Sequence, residues 1–418
     1  MSSKAGTWKF NDMNLNPEFD RRHILHMGTG LAAFGLIPRL ASAAGAPDPR
    51  LLLVNLRGGL DGISAVMPVG DPDYMRLRSS FFSDVKSKGM PLDLDGFFAL
   101  NPELKTLHRL FRKRQAIIAH ATATPYRKRS HFDAQEVLES GFPAAIKADS
   151  GWMNRAISGL QTEGQISHNL GLSVGHAIPL IMRGPAKVLS WAPQILPQSS
   201  GDTIDRLMQL YQARDPELAT ALKMGAQLDA MAPERISRKS MRGRGNLKAL
   251  EQVAKGAAKL LVRSDGARIA TASIDGWDTH ANEKPGTGRL ARLFRALDKL
   301  VATLEQELEP VWNDTVVAVV TEFGRTVNVN GTAGTDHGTG GVAFLIGGSI
   351  KGGRVIADWP GLRERELFEG RDLRPTTDLR ALIKPVLTDH LGLSARFVEN
   401  DVFPESSSIK ALQNIILS

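Results

Sequence analysis

The sequence predicts an α/β fold in which a mostly parallel central sheet is covered by helices on both faces. Short β-type runs alternate with helical segments along the chain, which is the pattern of a parallel sheet. The chain has 418 residues, 42% of them hydrophobic and 23% charged, and this composition is typical of a globular protein rather than a disordered or fibrous one. The length is sufficient for one large α/β domain or two smaller ones.

The first 45 residues predict an export signal that is separate from the fold. A polar leader ends in the pair Arg21-Arg22, an apolar run rich in Gly and Ala follows over residues 24–37, and Ala41-Ser42-Ala43 is a small-x-small cleavage signal. The apolar run is too short to span a membrane. We interpret residues 1–45 as a twin-arginine signal, which predicts a periplasmic or otherwise exported protein, the twin-arginine translocase as its partner during export, and no integral membrane anchor.

Five apolar runs predict the strands of the sheet. The first, RLLLVNL at residues 50–56, is continuous, as in strands buried on both faces. An apolar stripe over residues 290–308 predicts an amphipathic helix between the third and fourth runs, and the three elements together predict a βαβ unit. The other four runs are at residues 115–119, 268–274, 315–321 and 342–346.

Two segments are predicted to be insertions around residues 203–248. Residues 203–234 have an amphipathic helical pattern, and residues 235–248 (RISRKSMRGRGNLK) are basic and contain glycines, which predicts an exposed loop. A second group of cations lies within residues 105–129. A solvated positive surface and a phosphate-binding patch are both compatible with these stretches.

Charge and cysteine content exclude several classes of function. The 52 Lys and Arg exceed the 44 Asp and Glu by eight, and aromatic residues make up 6% of the chain, which argues against a dedicated nucleic-acid-binding protein. The chain contains no cysteine, so disulfides, thiolate zinc sites, iron–sulfur clusters and a cysteine nucleophile are excluded. Any metal must therefore be held by His, Asp, Glu or Asn.

Carboxylates and imidazoles follow several predicted strands. Ligands of open α/β sheets bind at the carboxyl ends of the strands, and the glycine-rich turn after the first strand lacks the spacing of a dinucleotide site or a P-loop. Each residue alone fits a turn or loop, but together they predict one or two divalent ions, Zn, Mn, Mg or Ca. The candidate ligands are Asp61, Asp275, Asp278, His280, Glu322, Asp336 and His337.

Five motifs in sequence order resemble those of a large bacterial family of twin-arginine-exported proteins related to sulfatases and alkaline phosphatases. The resemblance covers essentially the whole chain after the leader. It implies a single domain over residues 46–418, an alkaline-phosphatase-like three-layer α/β/α sandwich and a metal centre, with the activity unassigned for most members. The motifs are LRGGLDG at 56–62, SHFDAQ at 130–135, DTHAN at 278–282, TEFGRT at 321–326 and DHG at 336–338.

The resemblance also implies roles for individual ligands. Asp61 resembles the first-strand carboxylate of the wider superfamily, and His280 with Asp275 or Asp278 resembles its first metal site. The run that begins at His337 resembles the His-Thr-Gly that closes that site.

One position departs from the superfamily pattern. Where the superfamily has Asp-His at the end of the next strand, this sequence has Glu322-Phe323. The second metal therefore lacks an imidazole, unless Asp336 supplies the missing ligand.

Ser130 is the candidate nucleophile implied by the resemblance. In this fold the nucleophile lies at the start of the helix after the second strand, where the helix dipole and free N–H groups favour an anion. Ser130 and Asp133 also fit an N-capping box, so both interpretations remain open. His131 is a candidate acid or base, and Arg325 or the basic loop a candidate anion-binding group. No S-x-[PA]-x-R frame for a formylglycine is present, which argues against sulfatase chemistry.

Three functions follow from these observations. The leading prediction is an exported metal-dependent hydrolase of phosphate or related ester bonds, acting on a small anionic or ester substrate, in which Ser130 or a metal-activated water attacks. The alternative is a degenerate, non-catalytic relative that binds a ligand, a cell-envelope polymer or a protein partner. The third is an exported assembly subunit that uses the basic surface.

Overall fold

A computed structural model describes residues 48–162, 171–175, 177–193, 201–232 and 247–417. The predicted twin-arginine signal and most of the predicted basic loop lie outside these residues. The chain from Asp48 onward forms one compact unit. None of the helices in the described ranges is long and apolar enough to cross a membrane.

A large sheet runs through the described chain, with its strands in the order β11-β5-β10-β9-β1-β8-β6-β7 and with β12 beside β5. A small antiparallel sheet lies apart from it, in the order β2-β4-β3. The strands of the large sheet are β1 (Arg50–Arg57), β5 (Ala116–Ala123), β6 (Gly171–Val174), β7 (Val188–Trp191), β8 (Ile269–Asp275), β9 (Thr315–Val320), β10 (Gly341–Ile346), β11 (Arg354–Ile356) and β12 (Thr377–Asp378). Those of the small sheet are β2 (Val66–Met67), β3 (Leu92–Asp93) and β4 (Ala99–Leu100).

Helices pack on the large sheet and connect its strands. They are α1 (Gly62–Ala65), α2 (Tyr74–Lys86), α3 (Lys105–Arg112), α4 (His131–Ser140), α5 (Trp152–Thr162), α6 (Gly201–Arg214), α7 (Pro216–Met231), α8 (Leu247–Val262), α9 (Arg289–Glu307), α10 (Leu379–Pro385) and α11 (Ala395–Phe397). Short 3-10 turns at Leu180–Met182, Glu309–Asp314 and Glu364–Glu366 and π turns at Val386–His390 and Val398–Val402 complete the regular structure.

The direction of β10 decides where the polar loops meet. Among the described strands of the large sheet, β10 alone runs antiparallel to its neighbours, β5 and β9, and the other pairings are parallel. The amino end of β10 therefore lies at the edge where β1, β5, β8 and β9 end. Residues that precede β10 reach the same edge as residues that follow the parallel strands.

Alternation along β1 divides the core between the two faces of the sheet. Leu52, Val54 and Leu56 pack on one face with α9, whereas Leu51 and Leu53 pack on the other with α5 and α10. Side chains of a strand alternate between faces, so a strand buried on both sides must be apolar throughout. The predicted three-layer α/β arrangement with a mostly parallel sheet is confirmed.

The predicted helical segment over residues 203–234 contains the two helices α6 and α7. The break falls at Asp215-Pro216, where the Asp215 side chain accepts hydrogen bonds from the backbone N–H groups of Glu217 and Leu218 at 3.2 and 3.1 Å. Proline fits the first turn of a helix but not its interior. The short strands β6 and β7, four residues each, were not predicted from the sequence.

Candidate metal centre

Three ligand-type side chains converge at the carboxyl edge of the sheet. Asp278 follows β8, His337 precedes β10, and His131 is the first residue of α4 after β5. Nε2 of His337 lies 3.0 Å from Nε2 of His131 and 3.1 Å from Oδ1 of Asp278. Nε2 of His131 lies 3.5 Å from the same carboxylate oxygen. The three atoms form a compact triangle of metal-ligating type.

His280 adds a second triangle that shares one edge with the first. Its Nε2 lies 2.9 Å from Oδ1 of Asp278 and 3.0 Å from Nε2 of His337. In a tetrahedral zinc site with bonds near 2.0–2.1 Å, ligand atoms lie about 3.3 Å from one another. The spacings at this edge bracket that value, so the donor set suits a divalent ion.

The opposite nitrogen of each imidazole faces an oxygen. Nδ1 of His131 lies 2.9 Å from Oε1 of Glu322, Nδ1 of His337 lies 3.2 Å from the backbone oxygen of Arg129, and Nδ1 of His280 lies 3.4 Å from Oδ1 of Asp336. An Nδ1–H that donates to such an oxygen leaves Nε2 with its lone pair free, which is the tautomer that binds metals. In this tautomer the lone pair on Nε2 of His337 would lie close to those of His131 and His280, and a bound cation would relieve their repulsion.

The neighbours of the cluster set its charges. Burial opposes ionisation of Asp278, but the hydrogen bond and the positive charge of Arg325 hold the pKa of its carboxyl well below the ordinary range. Burial lowers the pKa of His337, while the hydrogen bond to Glu322 raises the pKa of His131. At neutral pH, Asp278 and His337 are therefore in the ionised and neutral states that a metal requires.

Glu322 lies behind His131 and orients it. Its Oε1 accepts hydrogen bonds from Nδ1 of His131, from the backbone N–H of Gly58 at 2.8 Å and from Nε2 of Gln135 at 3.3 Å. Burial raises the pKa of Glu322, but these donors outweigh it and bring the pKa below its usual value. The predicted ligands Glu322 and Asp336 thus contact the outer nitrogens of His131 and His280.

Two other predicted ligands lie outside the cluster. Asp61 is buried against Arg78, whose Nη1 and Nη2 donate to its two carboxylate oxygens at 2.7 and 3.2 Å. The same carboxylate accepts from the backbone N–H of Ser64 and caps α1. The Asp275 side chain is 86% exposed and lies 3.7 Å from Arg57. These positions correct the sequence prediction, because neither carboxylate faces the imidazoles.

Arg325 differs from its predicted role as an anion-binding group. Its side chain is fully buried, and it donates to Oδ1 of Asp278 at 2.8 Å, to the backbone oxygens of Gly59 and Trp277 at 2.8 and 3.0 Å, and to that of Gly58. Because these N–H donors are buried and engaged within the protein, the guanidinium of Arg325 is not accessible to a substrate. Arg325 instead holds the carboxylate of Asp278 in place.

Ser130 occupies the N-cap position of α4, as predicted, but the capping box is absent. Its side chain accepts no capping hydrogen bond within the described chain. Asp133, the predicted partner, instead accepts a hydrogen bond from the hydroxyl of Tyr126 at 2.9 Å. The hydroxyl of Ser130 is therefore not used to cap its own helix.

The glycines after β1 make room for protein backbone. Gly58 has a φ of +122°, and a Cβ at this position would lie 2.2 Å from the backbone nitrogen of Asp278. A Cβ on Gly59 would lie 2.7 Å from the ring of Phe323. The backbone of the turn after β8 therefore occupies the space beside Gly58.

The comparisons identify the family. Residues 48–402 match the model of a family described as "Protein of unknown function (DUF1501)". The chain belongs to this family. No curated protein matches the sequence.

Several solved structures resemble this member of the family at low identity. The structure of Ps i-CgsB bound to a neocarrahexaose has 10% identity over 85% of this chain and 74% of that chain, with a TM-score of 0.40. The phosphonate monoester hydrolase of Agrobacterium radiobacter has 13% identity over 83% and 74%, with a TM-score of 0.35. The zinc complex of the periplasmic domain of EcEptC from Escherichia coli has 11% identity over 90% and 94%, with a TM-score of 0.39.

The cluster of this family member is open to solvent. The side chains of Asp278 and His280 are 46% and 45% exposed, while those of His131 and His337 are about one quarter exposed. Structural zinc sites are closed, whereas catalytic sites keep a position accessible to water or substrate. The cluster is therefore accessible to water and to small solutes.

His131 was predicted to be an acid or base, and its place among the candidate ligands was not predicted. The spacing of His131 and Gln135 could have indicated a shared contact, because residues four apart lie on one face of a helix. Both side chains contact Glu322, and Gln135 also accepts a hydrogen bond from Arg57. An i, i+4 pair facing a strand-end carboxylate indicates an oriented imidazole.

Proposed function

We propose that this protein is an exported metal-dependent hydrolase of phosphate or related ester bonds. The observation that carries the proposal is the convergence of the Nε2 atoms of His131, His280 and His337 near Oδ1 of Asp278, with each Nδ1 facing an oxygen acceptor. The exposure of the cluster supports catalysis rather than a structural metal.

His131, Asp278 and His337 would hold the ion, with His280 as a further ligand. Three imidazoles and one carboxylate favour zinc or another first-row transition metal over magnesium or calcium, which prefer oxygen ligands. A divalent ion at this place supplies polarisation of an ester oxygen and stabilisation of developing negative charge.

Two guanidinium groups beside the cluster favour an anionic substrate. Arg371 donates to the backbone oxygen of His337 and to Asp372 and is 44% exposed. Arg57 is linked through Gln135 to the carboxylate that orients His131, and it reaches solvent. Arginine recognises phosphate through parallel hydrogen bonds. These groups take the place of Arg325 as candidates for holding the anion.

Ser130 is the proposed nucleophile. It directly precedes His131, and its hydroxyl is not engaged in capping α4. Its position at the amino end of a helix favours an oxyanion. Attack would form a bond from Oγ of Ser130 to the phosphorus or other central atom of the ester, break the bond to the leaving alcohol, and transfer the hydroxyl proton to a base.

The exported location is proposed from the leader. Arg21-Arg22, the apolar run and the cleavage signal are features of the twin-arginine route, and the translocase is the proposed partner during export.

The test compares two carboxylates at the end of β8, Asp275 in the strand and Asp278 in the loop that follows it. Full-length protein, Asp278→Asn and Asp275→Asn are analysed for bound metal and assayed with a chromogenic phosphomonoester, a phosphodiester and a sulfate ester. We expect Asp278→Asn to lose metal and turnover, and Asp275→Asn to keep both, because only Asp278 faces the imidazoles. Metal without turnover would favour the non-catalytic alternative. The absence of bound metal in the unmodified protein, even after dialysis against zinc, would overturn the proposal.

A further inference from the structure

A buried carboxylate outside the cluster connects the two loops that carry its ligands. Oε1 of Glu283 accepts a hydrogen bond from the hydroxyl of Thr279 at 3.0 Å. The same oxygen accepts from the backbone N–H of Thr335 at 2.9 Å and from its hydroxyl at 2.6 Å. Glu283 is fully buried.

The two threonines are adjacent to the candidate ligands. Thr279 lies between Asp278 and His280, and Thr335 directly precedes Asp336-His337. One carboxylate oxygen therefore joins the loop after β8 to the loop before β10. Backbone hydrogen bonds from Asn282 to Thr332 and from Glu283 to Ala333, both at 3.0 Å, continue the same contact.

The second oxygen of Glu283 does not share in these bonds. Oε2 is buried and has no hydrogen-bond partner among the described residues. Burying a carboxylate with one oxygen unsatisfied is costly, and an apolar or smaller side chain would avoid that cost. The charged groups that face it are Asp61 and Arg78, which already form an ion pair with each other. The three hydrogen bonds that Oε1 accepts offset the cost of burying the Glu283 carboxylate.

We propose that Glu283 is a positioning residue of the metal centre. By joining Thr279 to Thr335 it sets the spacing of Asp278 and His280 relative to His337, and so the affinity for the ion. This rests on the proposed function, because it assigns Glu283 a role in the same metal site. Glu283 itself touches neither ion nor substrate.

The test measures zinc affinity of the full-length, metal-stripped protein by competition with a chromophoric chelator. Removing a group that orients metal ligands commonly weakens metal binding by about 10- to 100-fold, and we expect at least about a tenfold loss for Glu283→Ala. We expect Glu283→Gln to bind within about threefold of the unmodified protein, because its amide oxygen can accept the same three hydrogen bonds.

Asn154→Ala is the matched control for general destabilisation. Asn154 is also fully buried and joins α5 to the backbone of Met182 and Ala186 through bonds of 2.9, 2.8 and 3.0 Å. Its loss should lower stability and leave zinc affinity unchanged. Should Glu283→Ala fail to fold, Thr335→Val removes one donor to Oε1 and should weaken zinc binding several-fold.

The outcomes separate this proposal from the one on which it rests. Unchanged zinc affinity in Glu283→Ala, or in Thr335→Val if the alanine variant does not fold, overturns the positioning role and leaves the metal site intact. An equal loss in Glu283→Gln and Glu283→Ala also overturns it, since the hydrogen bonds would then not matter. Unmodified protein that binds no zinc overturns the proposed function and this role together.

Discussion

At the scale of single residues, the oxygen at each Nδ1 decides what each imidazole can do. His131 is the clearest case, because Glu322 takes its Nδ1–H and leaves Nε2 facing Asp278 and His337. A histidine without such an acceptor can exchange tautomers and rotate. The carboxylates around this centre therefore differ in position, because Asp278 contacts Nε2 of His337 whereas Glu322 and Asp336 contact Nδ1 atoms.

Replacing Glu322 tests the orienting task. We expect Glu322→Ala to lower zinc affinity about 10- to 100-fold, because His131 loses its acceptor and Gly58 and Gln135 lose theirs. Chelator competition on the full-length protein gives the affinity. The control is Glu305→Ala, which removes an acidic side chain that pairs with Arg109. Equal affinity in the two variants would contradict the orienting role.

Replacing Ser130 distinguishes a role as the nucleophile from a role as the N-cap of α4. Because its side chain accepts no capping bond from the described residues, Ser130→Ala should change the free energy of unfolding by less than the roughly 1 kcal/mol typical of a lost cap. Turnover should fall by orders of magnitude with metal content unchanged. Asp215→Ala, which removes the cap of α7, should cost about 1 kcal/mol. Full turnover in Ser130→Ala would assign the attack to a metal-activated water.

At the scale of elements, the site depends on how closely three loops approach one another. The turn after β1 touches the turn after β8 at Gly58, and a Cβ on Gly338 would lie 2.5 Å from the backbone of Arg325. Glycines at such positions let two backbones pass where a side chain would separate them. The loops can therefore place Asp278, Arg325 and His337 within hydrogen-bonding distance.

Gly58 and Gly276 have similar backbone angles, so alanine substitutions at the two positions separate the effect of steric crowding from that of backbone strain. Gly58 and Gly276 have φ values of +122° and +111°, but only Gly58 is crowded, since a Cβ on Gly276 meets nothing within 4 Å in the described chain. We expect Gly276→Ala to cost about 1–3 kcal/mol from strain and to bind zinc normally. Gly58→Ala should be less stable still and should bind zinc more weakly, because it displaces Asp278. Denaturant unfolding and chelator competition measure both. Identical behaviour of the two variants would contradict the packing argument.

At the scale of the whole molecule, stability depends on pH through Glu283. Burial and the nearby Asp61 raise the pKa of its carboxyl from its usual value of 4.5 to about 7. Between these values the folded state holds a proton that the unfolded state has released, so the free energy of unfolding falls as pH rises. Above about pH 7 both states are ionised and the penalty is constant.

Glu283→Gln should remove that dependence. Urea unfolding of metal-stripped protein at pH 5 and pH 8 should show the unmodified chain losing up to about 3 kcal/mol relative to the variant. The variant has no proton to lose at this position, so its difference between the two pH values reports the rest of the molecule. A constant gap between the two proteins across this range would contradict the raised pKa.

The proposed export concerns the whole chain and is tested at the leader. We expect Arg21→Lys with Arg22→Lys to leave unprocessed protein in the cytoplasm, because the paired arginines are the feature that identifies the route. Cell fractionation followed by immunoblotting shows location and size. Arg39→Lys, a change of the same kind after the apolar run, should be exported and cleaved normally. Processed protein outside the cytoplasm in the double variant would contradict the twin-arginine assignment.

The longest strands, the helix between β8 and β9 and the chemistry of the side chains could be predicted from the sequence. Continuous apolar runs such as residues 50–56 predicted buried strands, because a strand covered on both faces cannot alternate polar and apolar residues. The apolar stripe over residues 290–308 predicted the helix between β8 and β9, because its apolar residues recur with the period of a helix. The absence of cysteine limited any metal ligand to nitrogen and oxygen.

The tertiary structure alone decided which of those residues meet. The reversed direction of β10 brings His337 to the edge where β5 and β8 end, and a run of five apolar residues carries no information about strand direction. Asp61 and Asp278 have a similar local setting in the sequence, because each is a carboxylate that follows a strand in a turn containing glycine. Arg78, seventeen residues from Asp61, forms an ion pair with it. This contact depends on how α2 packs, which the sequence does not show.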